Sequence, residues 1–280
     1  MNTISVLMAV YSGDSPEYLD NALKSIWHDQ TIKPNEIILI QDGPINESLE
    51  NTINRWVNII GPALTLIVNK ENLGLTKSLN KGLTFCTGNF IARMDSDDIS
   101  LPNRFELQLK FFNDQPEIEV LGGAMIEFND NKKLNIRSYP THMSEIKRRI
   151  HVASPLCHPS VMFRRTIFER GFLYNDNLRT SQDIDLWFRL VLNGVQIANI
   201  NEPLILFRIN DNFYSRRSYK KAWSEFKVYF FRGIELNGFN TRLFYSFFRL
   251  FFRFLPTFLT KKLYTGKFRG TILKQNHFLE

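Results

Sequence analysis

The chain has 280 residues, 44% hydrophobic and 22% charged, an ordinary globular composition that excludes a disordered chain and allows one large domain or two small ones. Its net charge of +7 is unevenly placed: residues 214–280 carry 14 Lys/Arg against 3 acids, and residues 1–213 carry 21 against 25. Only Cys86 and Cys157 occur, without paired spacing, which argues against a disulfide framework or zinc ribbon and fits a reducing, cytosolic setting.

In chain order, ISVLMAVY (4–11) reads as a buried strand rather than a signal sequence, because no basic segment precedes it. Residues 15–30 read as a helix with Ser15 as N-cap, Pro16 in the first turn, and Leu19, Leu23, Ile26 and Trp27 on one face. EIILIQDG (36–43) is a second strand, followed by a helix capped by Asn46 that carries Leu49, Ile53, Trp56 and Val57. LTLIVN (64–69), a helix near 75–86, and FIARMD (90–95) complete an alternation that implies a mostly parallel sheet with helices on both faces. Beyond Pro102 come a helix over 103–116, strands over 118–128 and 133–140 around a turn at Asn129–Asn131, a helix over 141–151, a strand near 159–165, and a helix over 181–194 stopped by Gly194. Residues 1–213 are read as one domain and 214–280 as a basic helical tail.

Ligands of open parallel sheets bind outside the carboxyl ends of the strands. Tyr11 and Ser12, Asp42, Asn69 and Asn72, and Asp95 to Asp98 follow the first four strands in turn, so all are expected at one edge. Three carboxylates within four residues repel one another and need a cation; Mg²⁺ or Mn²⁺, held with phosphate oxygens, is the natural one. The alternative is that Asp98 and Ser100 cap the next helix while Asp95 and Asp97 are solvated. No G-x-G-x-x-G or P-loop is present, which removes the usual dinucleotide and NTPase readings.

SVLMAVYSGD, QDGP, NLGLTKSLNKG, IARMDSDD, HPSVMFRR and QDIDLWFRLVLNG occur in an order and spacing that resembles inverting glycosyltransferase family 2, especially bacterial enzymes of exopolysaccharide, capsule or O-antigen synthesis. The resemblance implies a GT-A fold over residues 1–213 and metal-dependent (Mn²⁺ or Mg²⁺) transfer of a sugar from a nucleotide-sugar, usually UDP-linked. It further implies a base- and ribose-binding wall at Ala9, Val10, Tyr11 and Asp42, with Gly74 and Lys77 on the nucleotide side. Asp95-Ser96-Asp97 becomes the D-x-D element, Asp97 binding the metal and Asp95 lying near ribose, donor sugar and metal.

Inverting displacement needs a base opposite the leaving group, and Asp183 at a helix start can serve; alternatively it only favours the helix dipole. Gln182 stands where relatives commonly carry Glu, and Asn210 where they often carry His, leaving Arg208 for phosphate. His158 is read either as a core-edge histidine or as an acceptor-site group. His142, His151 and His158 lack metal-ligand spacing, and Asp185 with Arg189 forms an i, i+4 pair. A nucleotidyltransferase and an inactive sugar-binding module are the rival readings.

In the tail, Leu243, Phe244, Phe247, Phe248, Phe251, Phe254 and Leu255 recur at helical spacing, with Arg242, Ser246, Arg249 and Arg253 opposite and Pro256 at the end. Lys261, Lys262, Lys267 and Arg269 follow among further aromatics. This pattern suits a helix lying on an anionic membrane surface, and nucleic acid is disfavoured because the phenylalanine face is continuous. The alternative is a hairpin packed on the catalytic domain with solvated arginines. With no run of about 18 apolar residues, the expected place is peripheral, on the cytoplasmic face of the plasma membrane, acting on a polyprenyl-diphosphate-linked saccharide acceptor.

Overall fold

The structure is a computed structural model that describes residues 2–129, 132–209, 219–254 and 277–278. Four strands, β1 (Ile4–Val10), β2 (Glu36–Gln41), β3 (Leu64–Val68) and β4 (Phe90–Asp95), pair in parallel in the order β3-β2-β1-β4. In β1, β2 and β4 apolar residues run almost without interruption, as a strand covered on both faces requires. Beyond β4 the sheet turns antiparallel through β8 (Met162–Arg164) to β6 (Val120–Asn129), which pairs with β7 (Lys132–Arg137) and, in parallel, with β9 (Ile197–Arg208). The short β5 (Ile99–Ser100) pairs with β9, and β10 (His277–Phe278) with β7.

One face of the sheet packs against α1 (Pro16–Trp27), α2 (Glu47–Ile60) and α4 (Arg104–Asp114), burying Leu23, Ile53, Trp56 and Phe105. The other face packs against α3 (Leu75–Leu83) and α7 (Gln182–Leu192), burying Leu79, Trp187 and Phe188. The expected alternation of strands and helices in the first hundred residues is present. Asn46 caps α2 through a hydrogen bond from the Leu49 amide at 2.9 Å, and Gly194 follows α7 at φ +73°. Ser15 holds the N-cap position of α1 without a side-chain hydrogen bond.

Several expectations require correction. Neither Asp98 nor Ser100 caps a helix: α4 starts at Arg104, Asp98 is buried, and Ser100 lies in β5. Strand β9 was not legible, since Glu202-Pro203 interrupts its pattern; Pro203 sits where the register against β6 shifts, a bulge that tolerates it. The short α5 (Met143–Arg149) lies inside the expected helix over 141–151, while the single-turn α6 (Thr166–Glu169) was not anticipated. In the tail, α8 (Tyr219–Asn237) lies on α7, and α9 (Phe244–Phe254) on α8. The basic run from Lys261 to Arg269, Leu255, Pro256 and Asn210 lie outside the described residues. Among the described residues no helix is long and apolar enough to cross a membrane.

Gly43 follows β2 at φ +89°, and a Cβ there would stand 2.6 Å from the Asn72 amide nitrogen. The Asp42–Gly43 turn and the 72–74 loop therefore approach closely only with glycine. Gly43→Ala is expected to lower unfolding stability by roughly 1–3 kcal/mol, read as a reduced urea midpoint with an unchanged slope.

Candidate active site

The carboxyl ends of β1 to β4 bring Tyr11, Asp42, Asn69 and Asp95 to one edge, as the parallel pairing dictates. Asp95, Asp97 and Asp98 offer carboxylate oxygens that all lie within 4.8 Å of one another. Asp98 is buried; one oxygen accepts from the Arg208 amide at 2.9 Å, and the other has no hydrogen-bond partner. Burial, then the charges of Asp95 and Asp97, push its carboxyl well above the usual range. Asp14, from the loop after β1, is a fourth acid here: its Oδ2 accepts from Ser96 Oγ at 2.8 Å and from the Tyr11 amide at 3.1 Å. Burial raises its pKa to about 6, the charges of Asp97 and Asp95 adding to the rise.

Arg93 compensates these charges from below. It alternates with Asp95 on the same face of β4, is only 2% exposed, and pairs through Nη2 with Asp95, while Nε and Nη1 have no partner. Arg104 on the opposite face donates to the Arg93 carbonyl at 2.7 Å, and burial pushes that second guanidinium down to about 9. His158 is buried, its Nε2 lies 2.8 Å from Tyr174 Oη, and its ring packs edge-on to Tyr174 and Trp187. Burial, then the Arg93 charge, hold it well below the ordinary histidine value, so it is neutral. Of its two readings, the core position is the one its surroundings match.

Asp183 stands in the first turn of α7. Ser181 before it adopts φ +63°, which among the described residues makes it the sole left-handed residue other than glycine, the kind of local strain found at functional sites. Burial pushes the Asp183 carboxyl up, opposed by the amides of Ile184 and Asp183 itself and by Arg93; Glu225 on α8 adds to the rise. Arg93 therefore acts electrostatically on both the acid cluster and Asp183. Gln182 beside it is buried. Asp185, two residues on, pairs with Arg189 as the spacing implied, and also with Arg232 of α8, both at 2.8 Å.

On the other side, Asp42 is buried and accepts from Asn69 Nδ2 at 3.1 Å and from the amides of Leu73 and Gly74 at 2.8 and 3.0 Å. It fixes the loop that starts α3, where Gly74 is N-cap at φ +86°. A polar cavity of about 320 Å³ opens beside this loop, with Lys77 and Arg179 on its walls. Ala9 is half-buried and in register with Asp95, and Tyr11 is exposed at the edge. The Val10 side chain belongs to the core, so only its backbone reaches the edge.

Arg208, expected at a phosphate, is buried between the rings of Tyr18 and Phe128, its Cζ 3.7 and 4.5 Å from their centroids, and its Nε donates to the Asp97 carbonyl at 2.8 Å. It braces the D-x-D loop from behind. Sequence reasoning passed over Asp14, Arg93 and Arg179. Arg93 had a readable signal, a charge inside a strand expected to be buried, where arginine is tolerated only when paired. The others had none, since only folding brings residues 14 and 179 to this edge.

A hard dication fits this donor set: three carboxylates converge and one buried oxygen of Asp98 lacks a partner. Removing Arg93 should expose the repulsion. Arg93→Met is expected to lower apo stability by roughly 3–5 kcal/mol, and Mn²⁺ should restore more of the melting temperature in the variant than in the parent, as scanning calorimetry with and without chelator will show.

The Glycosyl transferase family 2 profile matches residues 5–172. The chain is 34% identical over 268 residues to the amylovoran biosynthesis glycosyltransferase AmsE of Erwinia amylovora, covering 95% of this chain and 99% of that protein. It is also 34% identical over 277 residues to the UDP-Gal:α-D-GlcNAc-diphosphoundecaprenol β-1,3-galactosyltransferase of Escherichia coli, covering 97% and 95%. Among solved structures, S. aureus TarS 1–349 in complex with UDP-GlcNAc superposes with a TM-score of 0.66 at 17% identity, over 97% of this chain and 76% of that one. The Pyrobaculum calidifontis mannosyltransferase PcManGT in complex with GDP-Man and Mn²⁺ gives 0.62 at 15% identity, over 96% and 75%. These likenesses support the GT-A architecture, and the family match sets aside the nucleotidyltransferase and inactive-module readings. With its acids after β4 and its aspartate at the start of α7, the chain is an enzyme of polysaccharide biosynthesis type and belongs to glycosyl transferase family 2.

Proposed function

We propose that the protein transfers a sugar, with inversion, from a UDP-sugar to a hydroxyl of a polyprenyl-diphosphate-linked saccharide at the cytoplasmic face of the membrane, in bacterial surface polysaccharide synthesis. The observation that carries the reading is the placement of two acidic groups on the sheet's carboxyl edge and on α7, both under the influence of Arg93. The E. coli relative named for a UDP-Gal donor and a diphosphoundecaprenol acceptor supports donor and acceptor class.

In this reading the nucleoside lies between Tyr11 and the loop shaped by Asp42 and Gly74, and Lys77 and Arg179 supply positive charge from the adjoining cavity. Asp97 and Asp95, with the unpartnered oxygen of Asp98, would hold Mn²⁺ or Mg²⁺. Held there, such an ion would supply positive charge to offset that of the departing diphosphate. Asp183 takes the proton of the acceptor hydroxyl as its oxygen attacks the anomeric carbon and the bond to the diphosphate breaks on the opposite side. Burial disfavours the charged form of Asp183, and Arg93 opposes that effect by favouring the ionised form the base needs. Residues 1–213 form the catalytic part, and the basic stretch 214–280 supplies the charge that associates with the anionic surface on which the acceptor resides.

Nucleotide release from a panel of UDP-, GDP- and dTDP-sugars, with Mn²⁺ and a lipid-diphosphate-sugar acceptor, tests the reading. Transfer should be confined to UDP donors and vanish in excess chelator; Asp97→Ala and Asp183→Asn should each abolish it, and only Asp97→Ala should weaken metal-dependent UDP binding. Wild-type turnover in Asp183→Asn would remove the base assignment.

The pH profile follows from burial of Asp183. Its folded pKa is raised above 3.8, so the base becomes protonated at higher pH than a free aspartate. The acidic limb of kcat/KM should therefore lie above that value, activity being present at higher pH and lost as pH falls through the raised pKa. A limb at or below the free-aspartate value would contradict this.

A further inference from the structure

Helix α9 is docked the opposite way round from an ordinary amphipathic helix, which buries its apolar stripe. Its polar side faces the protein: Ser246 is buried, Arg249 donates to the Val152 carbonyl at 2.7 Å, and Arg249 and Arg253 both pair with Glu225 of α8. Those two guanidiniums hold the Glu225 carboxyl below its usual value despite burial, so the clamp is fully ionised at neutral pH. Phe244, Phe248 and Phe251 are left 54–73% exposed on the outer side, while Phe247 and Phe254 flank the seam with α8, their rings against Phe226 and Phe230 and against Tyr219.

This aromatic face runs into an open groove of about 870 Å³ between the end of α5 and α9. Phe244, Phe247, Phe248 and Phe251 line it, Arg148 and Arg242 stand at its rim, and among the described residues no acidic side chain lines it. Arg148 has only a long contact with Glu145, at 3.6 Å, with both side chains about half exposed or more. A row of phenylalanines beside exposed guanidiniums matches an interface that is apolar inside and anionic at its boundary.

We propose that the outer face of α9 is the surface on which the protein docks to an anionic phospholipid bilayer, its phenylalanines entering the acyl boundary and a headgroup phosphate seated between Arg148 and Arg242. Charge selects this occupant. A second copy would oppose one basic rim to another, and residues 255–276, which follow α9 in sequence, add Lys261, Lys262, Lys267, Arg269 and Lys274 with no acid. The docking is also coupled to the site: Glu225 clamps α9 to α8, and Arg232 ties α8 to Asp185, two residues from Asp183. Membrane contact therefore sets the orientation of α7 relative to the bilayer, a consequence that rests on the proposed lipid-linked acceptor.

Flotation of the full chain with vesicles of phosphatidylcholine alone, or mixed with phosphatidylglycerol, tests the surface. Phe248→Ser/Phe251→Ser and Arg148→Gln/Arg242→Gln change exposed side chains, and thermal melts will confirm that both variants fold. The phenylalanine pair is expected to weaken partitioning about tenfold or more at every salt concentration. The arginine pair should abolish the preference for anionic vesicles and flatten the salt dependence. UDP binding should be unchanged in both, so loss of flotation with UDP binding intact reports on the surface, whereas loss of UDP binding in the parent protein would strike the proposed reaction instead. Unchanged partitioning in both variants overturns the proposal. So does a solution dimer dispersed by Phe248→Ser/Phe251→Ser without vesicle binding, or flotation abolished by Lys261→Gln/Lys262→Gln/Lys267→Gln while the phenylalanine variant floats normally.

Discussion

The buried charge of Arg93 is the constraint around which the acidic edge is organised. A guanidinium without access to water is tolerated only beside anions, and anions gathered at a strand end are tolerated only beside cations. The i, i+2 spacing of Arg93 and Asp95 on β4 puts both on the face covered by α7, where the ion pair forms without a bend in the strand. The same charge bears on His158, which it helps keep neutral, and on Asp183, whose ionised form it favours. One side chain thus links the acid cluster to the helix opposite it, leaving two N–H groups without protein partners.

A comparable logic governs the C-terminal hairpin. Apolar packing attaches α8 to α7, through Val228 and Tyr229 in the same cluster as Trp187 and Phe188. Ion pairs attach α9 to α8, flanked by ring contacts of Phe247 with Phe226 and Phe230 and of Phe254 with Tyr219. A buried carboxylate shared by two arginines binds through directional, charge-assisted hydrogen bonds, so α9 is held at a defined rotation that leaves Phe244, Phe248 and Phe251 outward. Had α9 buried those rings, Arg249 and Arg253 would face water and the groove beside Arg148 and Arg242 would lose its aromatic lining.

The parts of the fold legible in the sequence are those decided by local periodicity. Strands β1 to β4 are unbroken apolar runs, and α1, α2 and α7 show apolar stripes with recognisable ends, so order and type follow from spacing alone. The acids at the carboxyl edge followed as well, because parallel pairing forces every strand end to one side. What escaped depended on partners distant in sequence. Strand β9 carries Pro203 at a bulge that only its pairing with β6 accommodates. Asp98 looks like a helix cap in sequence, yet it is a buried acid because β9 supplies the Arg208 amide 110 positions away. The amphipathic pattern of α9 was plain, but which side faces the protein was decided by Glu225, a residue on another helix.

Strand β9 accordingly matters more to the site than its weak sequence signature suggests. Its last residue grips the acid loop twice, donating its amide to Asp98 and its guanidinium to the Asp97 carbonyl, while Tyr18 and Phe128 fix that guanidinium by stacking on it. One bond ends on a carboxylate oxygen of Asp98 and the other on the Asp97 backbone, so among the described residues the second oxygen of Asp98 stays unpartnered while the three carboxylates converge. These two bonds hold the loop in place against the repulsion of its acids, which together with burial raises the Asp98 carboxyl. For the proposed metal site, preorganisation of this kind would spare the loop a rearrangement, because the electrostatic work of assembling like charges is already done by folding.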